Sequence, residues 1–140
     1  MRYANKNEVE LNVPPSVVWQ QITDFKSFPE WNPMIPAMAG ELAEGAKLKG
    51  KAQVGPLKAP FQAKLTTLRP NEELRWAGGV PGVMVADHRF IIDDLGNGRS
   101  VLRHHEEFTG VAATNLTVKI ANDTHARFNA ALKKRIESER

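Results

Sequence analysis

Thr114 to Ser138, TNLTVKIANDTHARFNAALKKRIES, contains no proline or glycine, and its apolar residues recur at helical spacing over about seven turns. Leu116, Ile120, Thr124, Phe128 and Ala131/Leu132 form one stripe, while Thr117, Lys119, Asn122, Lys133, Lys134 and Glu137 occupy much of the remaining surface. Lys133, Lys134 and Arg135 stand in the last turns, where cations complement the helix dipole. A helix with one apolar stripe buries that stripe against another element. What precedes it decides which element that is.

Upstream, from residue 37, the period is two. Candidate strands are Ala37–Leu42, Lys47–Val54, Phe61–Leu68, Glu73–Gly79, Val83–Leu95 and Ser100–Thr109. Glu44-Gly45, Gly55-Pro56, Pro70-Asn71 and Gly96-Asn97-Gly98 between them favour tight reversals of antiparallel neighbours. Gly78-Gly79 with Pro81-Gly82 reads as a more open loop. Nearer the start, Val9, Leu11 and Val13 alternate with polar residues, predicting a strand over Asn5–Val13. Pro14-Pro15-Ser16 stops it and opens a helix over Pro15–Thr23 that puts Val18, Trp19 and Ile22 on one face. Pro29, Pro33 and Pro36 limit the stretch 24–36 to a short second helix and an aromatic-rich loop. The class is therefore α+β: a seven-stranded antiparallel sheet that cannot cover its own apolar face, with the last helix lying on it.

The 140 residues fit one domain spanning 1–140, since no repeat, linker or low-complexity tract interrupts them. A hydrophobic share of 41% beside 25% charged residues is an ordinary globular balance. With no cysteine, disulfides, thiolate metal sites and cysteine nucleophiles are excluded. Residues 1–8 hold no apolar run, so neither a signal peptide nor stable membrane insertion is expected, and the expected location is cytoplasmic. Lys47, Lys49, Lys51, Lys58, Lys64 and Arg69 have no acid among them. Without interleaved aromatics to stack on bases, this basic stretch reads as the solvated outer face of a sheet, and no nucleic-acid partner is expected. A P-loop, a dinucleotide fingerprint and a Gly-x-Ser-x-Gly elbow are missing.

Strand parity selects the side chains that face the helix. Met84, Ala86, His88, Phe90 and Ile92 share the more apolar face of their strand, and Leu102, His104, Glu106 and Phe108 share one face of the next. A hairpin through Gly96-Asn97-Gly98 makes these strands neighbours. His88, His104 and Glu106 thus meet on one concave face, with Trp76 and Phe61 on adjoining strands. Buried polar groups need partners. The trio satisfies itself, or bonds Arg127 or backbone groups and only stabilises the fold, or it orients a ligand, or it works as an acid–base set. Two histidines and a carboxylate are also metal-ligand types, but no recognisable motif accompanies them, and no metal or cofactor is expected.

Several segments together resemble a known superfamily. Val18-Trp19-Gln20-Gln21-Ile22-Thr23-Asp24-Phe25 with Phe28-Pro29-Glu30-Trp31-Asn32-Pro33, Leu74-Arg75-Trp76, His88-Arg89-Phe90, His104-His105-Glu106-Glu107-Phe108-Thr109-Gly110 and Phe128-Asn129-Ala130-Ala131-Leu132-Lys133 are similar in order and spacing to the SRPBCC (START-like, helix-grip) proteins, and to their polyketide cyclase/dehydrase branch. The resemblance runs from about residue 7 to 136. It implies a curved sheet gripping the C-terminal helix around an apolar cavity, and a small hydrophobic or aromatic ligand, lipid- or polyketide-like. With the strand parity above, the expected ligand set is His88, His104, Glu106, Trp76, Met84, Phe90, Phe108, Phe61, Trp31, Ile120, Thr124 and Phe128, and Met34, Ile35 and Met38, which follow prolines in their loop, are candidates to cap one end. Two alternatives stay open: a cyclase/dehydrase-type enzyme with His104 and Glu106 as the catalytic pair, and a co-chaperone-like domain that binds a protein partner.

Overall fold

The computed structural model describes residues 2–138. In chain order the elements are β1 (Arg2–Leu11), α1 (Pro15–Thr23), a 3-10 turn (Phe25–Ser27), α2 (Phe28–Trp31), β2 (Ala37–Ala39), β3 (Lys47–Val54), β4 (Leu57–Arg69), β5 (Glu73–Val80), β6 (Met84–Gly96), β7 (Arg99–Thr109) and α3 (Asn115–Ser138). The strands make one sheet in the order β1-β7-β6-β5-β4-β3-β2, every neighbouring pair antiparallel. Register shifts at Leu65/Thr67 and Asp94/Gly96 add the local twist that bulges bring, and the curved sheet wraps α3.

Alternation explains the two faces. In β3, Lys47, Lys49 and Lys51 are exposed while Leu48 is fully buried, as expected of a sheet with one face in water. The β1 strand starts earlier than its apolar alternation, because Arg2, Tyr3 and Ala4 still pair with Thr109, Phe108 and Glu107 of β7. Val13 stays buried just past its end, and the Ser100 hydroxyl donates to its carbonyl at 2.8 Å. Pro15 opens α1 as expected, and Val18 and Ile22 face the core.

Two expectations change. The connection expected as an open loop is a tight turn: Gly78 and Gly79 stay in β5, within the strand expected over Glu73–Gly79, and Val80 pairs with Met84 across the turn. The glycines' lack of a side chain is what the strand crossing requires: a Cβ on Gly78 would stand 2.2 Å from the Gln62 carbonyl oxygen. The stripe on α3 is also different. Leu116 is 63% exposed, and the buried residues are Ala121, His125, Phe128, Asn129, Leu132 and Ile136. A strict four-residue step advances about 40° around a helix each time, so that stripe winds off the sheet. Steps of three and four keep to it.

This helix divides the interior. Its C-terminal half sends Phe128, Leu132 and Ile136 into a core shared with Phe28, Leu74, Phe90 and Leu102. Its N-terminal half offers Thr117, Ala121 and Thr124, opposite Ala63, Gly78 and Ala86 of the sheet. Small residues on both walls leave the space between them unfilled.

Candidate functional site

That space is a cavity of about 680 Å³ between the sheet and the first turns of α3. Trp76, Met84, Phe108 and Phe61 form its sheet wall, Ile120 and Thr124 its helix edge, and Met34 and Ile35 cover one side. The loop bearing those two is fixed by the Asn32 side-chain oxygen, which accepts from the N–H groups of Met34 and Ile35, each at 2.9 Å. Val54 and Val80 stand at the opening.

The polar end of the cavity follows from strand register. Asn5, Glu106, His88 and Trp76 are cross-strand partners on β1, β7, β6 and β5, so one row crosses the concave face. His104 pairs with Phe90 in a second row. From above, α3 lowers His125 onto the first row. Glu106 Oε2 lies 3.1 Å from His88 Nδ1 and Oε1 lies 2.9 Å from His125 Nε2. His125 Nδ1 is 2.9 Å from the Asn5 amide nitrogen, and His88 Nε2 is 2.5 Å from His104 Nε2.

One set of tautomers satisfies all these contacts. His88 Nδ1–H and His125 Nε2–H donate to an ionised Glu106, Asn5 donates to His125, and His104 donates to His88. Burial alone would raise the Glu106 carboxyl. The His88 charge and the hydrogen bonds from His125 and His88 outweigh it and hold the group at about 2. Burial and the neighbouring rings push His104 well down, and burial lowers His125 despite its bond to Glu106. The cluster is thus built around one carboxylate anion, with the lowered His104 and His125 rings beside it.

His88, His104 and His125 each bring a ring nitrogen within 4.8 Å of the others. His104 and His125, however, are stacked with centroids 3.7 Å apart and planes 8° from parallel. Metal–imidazole bonds lie in the ring plane, and two stacked rings do not aim in-plane lone pairs at a common ion. These rings fit hydrogen bonding rather than metal coordination.

Eight of the twelve expected ligand residues line the cavity: His88, Glu106, Trp76, Met84, Phe108, Phe61, Ile120 and Thr124. The other four do not. His104 is fully buried behind His88, so the imidazole beside the carboxylate at the wall is not the one expected for an acid–base pair. Phe90 and Phe128 are core residues, with Phe90 stacked on His88 at 5.2 Å. Trp31 packs on Phe128 and donates its indole N–H to Ser27. Met38 is also core, and Arg127 is exposed. His125 is the residue that sequence reasoning missed. Its only signal was a heptad-like relation to Phe128 and Leu132, visible once the correct face of α3 is known.

Residues 6–137 match the model of the family described as polyketide cyclase / dehydrase and lipid transport. Among solved structures, a START superfamily protein from Mycobacterium smegmatis is 19% identical, with 98% of this chain and 99% of that one aligned at a TM-score of 0.82. The ZhuI aromatase/cyclase from a Streptomyces species is 13% identical over 98% and 94%, at 0.81. Norcoclaurine synthase from Thalictrum flavum, in complex with dopamine and hydroxybenzaldehyde, is 12% identical over 100% and 89%, at 0.71. No curated protein sequence matches this one. The chain belongs to the polyketide cyclase / dehydrase and lipid transport family and has its START-like helix-grip fold.

Proposed function

We propose that this member of the family binds a mostly apolar small molecule in the cavity between sheet and α3, anchored by a hydrogen bond donated to Glu106. One observation carries the reading: an apolar space of about 680 Å³ ends at a carboxylate whose side chain is only 11% exposed. That volume lies within the roughly 300–1,000 Å³ of small-molecule sites, which pair apolar walls with few polar anchors. Both ring nitrogens of His88 and of His125 are already engaged. Glu106 accepts one bond on each oxygen and keeps lone pairs for another. The polar capacity left at the inner end is therefore acceptor capacity beside a negative charge. A hydroxyl, phenol, enol or amine on an apolar body suits it, and a free carboxylate is repelled.

Anchoring is favoured over acid–base turnover. A carboxyl held at about 2 is a weak base, since proton transfer is most effective when the group's pKa is near the working pH.

Native mass spectrometry of freshly purified protein looks for a retained small molecule, and paired titrations test the chemistry. 2-Naphthol is expected to bind at least about tenfold more tightly than 2-naphthoate, a gap of about 1.4 kcal/mol. Ala86→Phe, which fills the cavity, should abolish binding of both while the protein stays folded. Equal affinity for the two probes, or unchanged binding in Ala86→Phe, would refute the reading.

A further inference from the structure

Three connections converge at the cavity mouth: the β3–β4 turn, the β5–β6 turn, and the segment leading into α3. The last two are tied together, with Val111 N–H donating to the Gly82 carbonyl at 3.0 Å and Ala112 N–H to that of Val83 at 2.8 Å. Together with the start of α3 they carry Val54, Leu57, Val80, Val83, Val111, Leu116 and Ile120. These are seven of the nine large apolar side chains exposed among the described residues, with Val111 at 87% and Leu57 at 69%. The other two, Leu42 and Leu95, lie at the opposite end of the sheet. Single exposed apolar residues are normal, but a concentration at one tip implies something that covers it.

Charge indicates what that is. No aspartate or glutamate occurs in residues 45–71, 74–86 or 108–122, the stretches that contain the three tip segments and the strands leading to them. Lys51, Lys58 and Lys119 are exposed beside the apolar tip, with Lys47, Lys49 and Lys64 further along the same outer face of β3 and β4. The nearest acids on the sheet, Asp87 and Glu107, are ion-paired with Arg75 and Arg2. Asp123 is the acid nearest on α3; it lines a small groove with Gly55 and Ile120 at the edge of the tip, and Arg127 lines the same groove. The turn segments themselves, residues 54–58, 80–84 and 110–120, contain valine, leucine and isoleucine but no aromatic residue or arginine, the types on which protein–protein contacts concentrate their energy.

We propose that this tip docks on a membrane surface bearing anionic headgroups, its aliphatic side chains entering the interface and its lysines meeting the headgroups. The cavity opens between the inserted residues, so an apolar molecule passes between bilayer and cavity without crossing water. The docking surface stands apart from the ligand anchor: it needs neither Glu106 nor any particular ligand.

Flotation with phosphatidylcholine vesicles, with and without phosphatidylglycerol, tests it on the full chain. The protein is expected to float with the anionic vesicles and not with the neutral ones, and to be released as salt rises. Leu57→Glu with Val111→Glu should weaken flotation about tenfold or more, and Lys51→Glu with Lys58→Glu about as much. Leu42→Glu with Leu95→Glu at the far end should leave it unchanged, and 2-naphthol binding should persist in all three variants. Absence of flotation with anionic vesicles, equal flotation with neutral ones, or equal loss in the far-end variant would overturn the proposal. So would self-association abolished by Leu57→Glu with Val111→Glu, if vesicle binding were absent, because the tip would then cover a second copy.

Discussion

Replacing Glu106 by glutamine isolates the charge at the centre of the cluster, because glutamine has nearly the shape of the protonated acid. The folded protein lowers this carboxyl from 4.5 to about 2, and each unit corresponds to about 1.4 kcal/mol. The ionised form therefore contributes about 3 kcal/mol at neutral pH. The amide adds to the loss, since its NH₂ faces one of two ring N–H donors and forces a tautomer change. The sign follows from the direction of the shift. A depressed carboxyl gives stability that is complete above 4.5 and is lost as pH falls through that value towards 2. His104 and His125 are also lowered, so each is neutral in the fold and takes up a proton more readily when unfolded. Once pH drops below 6.5 the His104 loss is present in both proteins, while the His125 loss is larger in the variant, which lacks the carboxylate that raises that ring. The informative quantity is thus the difference between the two proteins, from urea unfolding at a series of pH values. It should be about 3 kcal/mol at pH 7, roughly 10 °C in Tm for a chain of this size. Below pH 4.5 it should shrink by up to about 1.4 kcal/mol per pH unit. A variant as stable as wild type at pH 7, or a difference that ignores pH down to 3, would refute the buried-anion account.

Other substitutions separate core from cavity. Phe128→Ala should cost about 3–5 kcal/mol in urea unfolding, yet leave 2-naphthol affinity within about twofold at a temperature where it remains folded, because Phe128 belongs to the core and not to the cavity wall. Gly78→Ala should destabilise by about 1–3 kcal/mol, as overpacking does, because its Cβ would meet the Gln62 carbonyl oxygen. Hydrogen exchange should show the loss first along β4 and β5.

Much of the site was legible because strands carry their geometry locally. Side chains alternate with a period of two regardless of what covers the sheet, so His88 and Glu106 were assignable to one face of β6 and β7, and the Gly96-Asn97-Gly98 turn made those strands neighbours. The prolines around Met34 and Ile35 marked their loop as a candidate cap, and the two side chains both join the core and line the cavity. The phase of α3 was not legible in the same way. Leu116 and Ile120 are as apolar as Leu132 and Ile136, and only contact with the sheet separates the exposed pair from the buried one.

The order of elements, the antiparallel class and the inward face of each strand are thus properties of the chain itself, resting on proline, glycine and short-range alternation. Tertiary packing alone decided that His125 and not His104 stands at the cavity wall, that half of α3 leaves its side of the interior open, and that three distant turns share one apolar, basic tip. Those outcomes depend on how a helix is rotated and where a curved sheet brings remote segments together, and long-range contacts, not local pattern, carry that information.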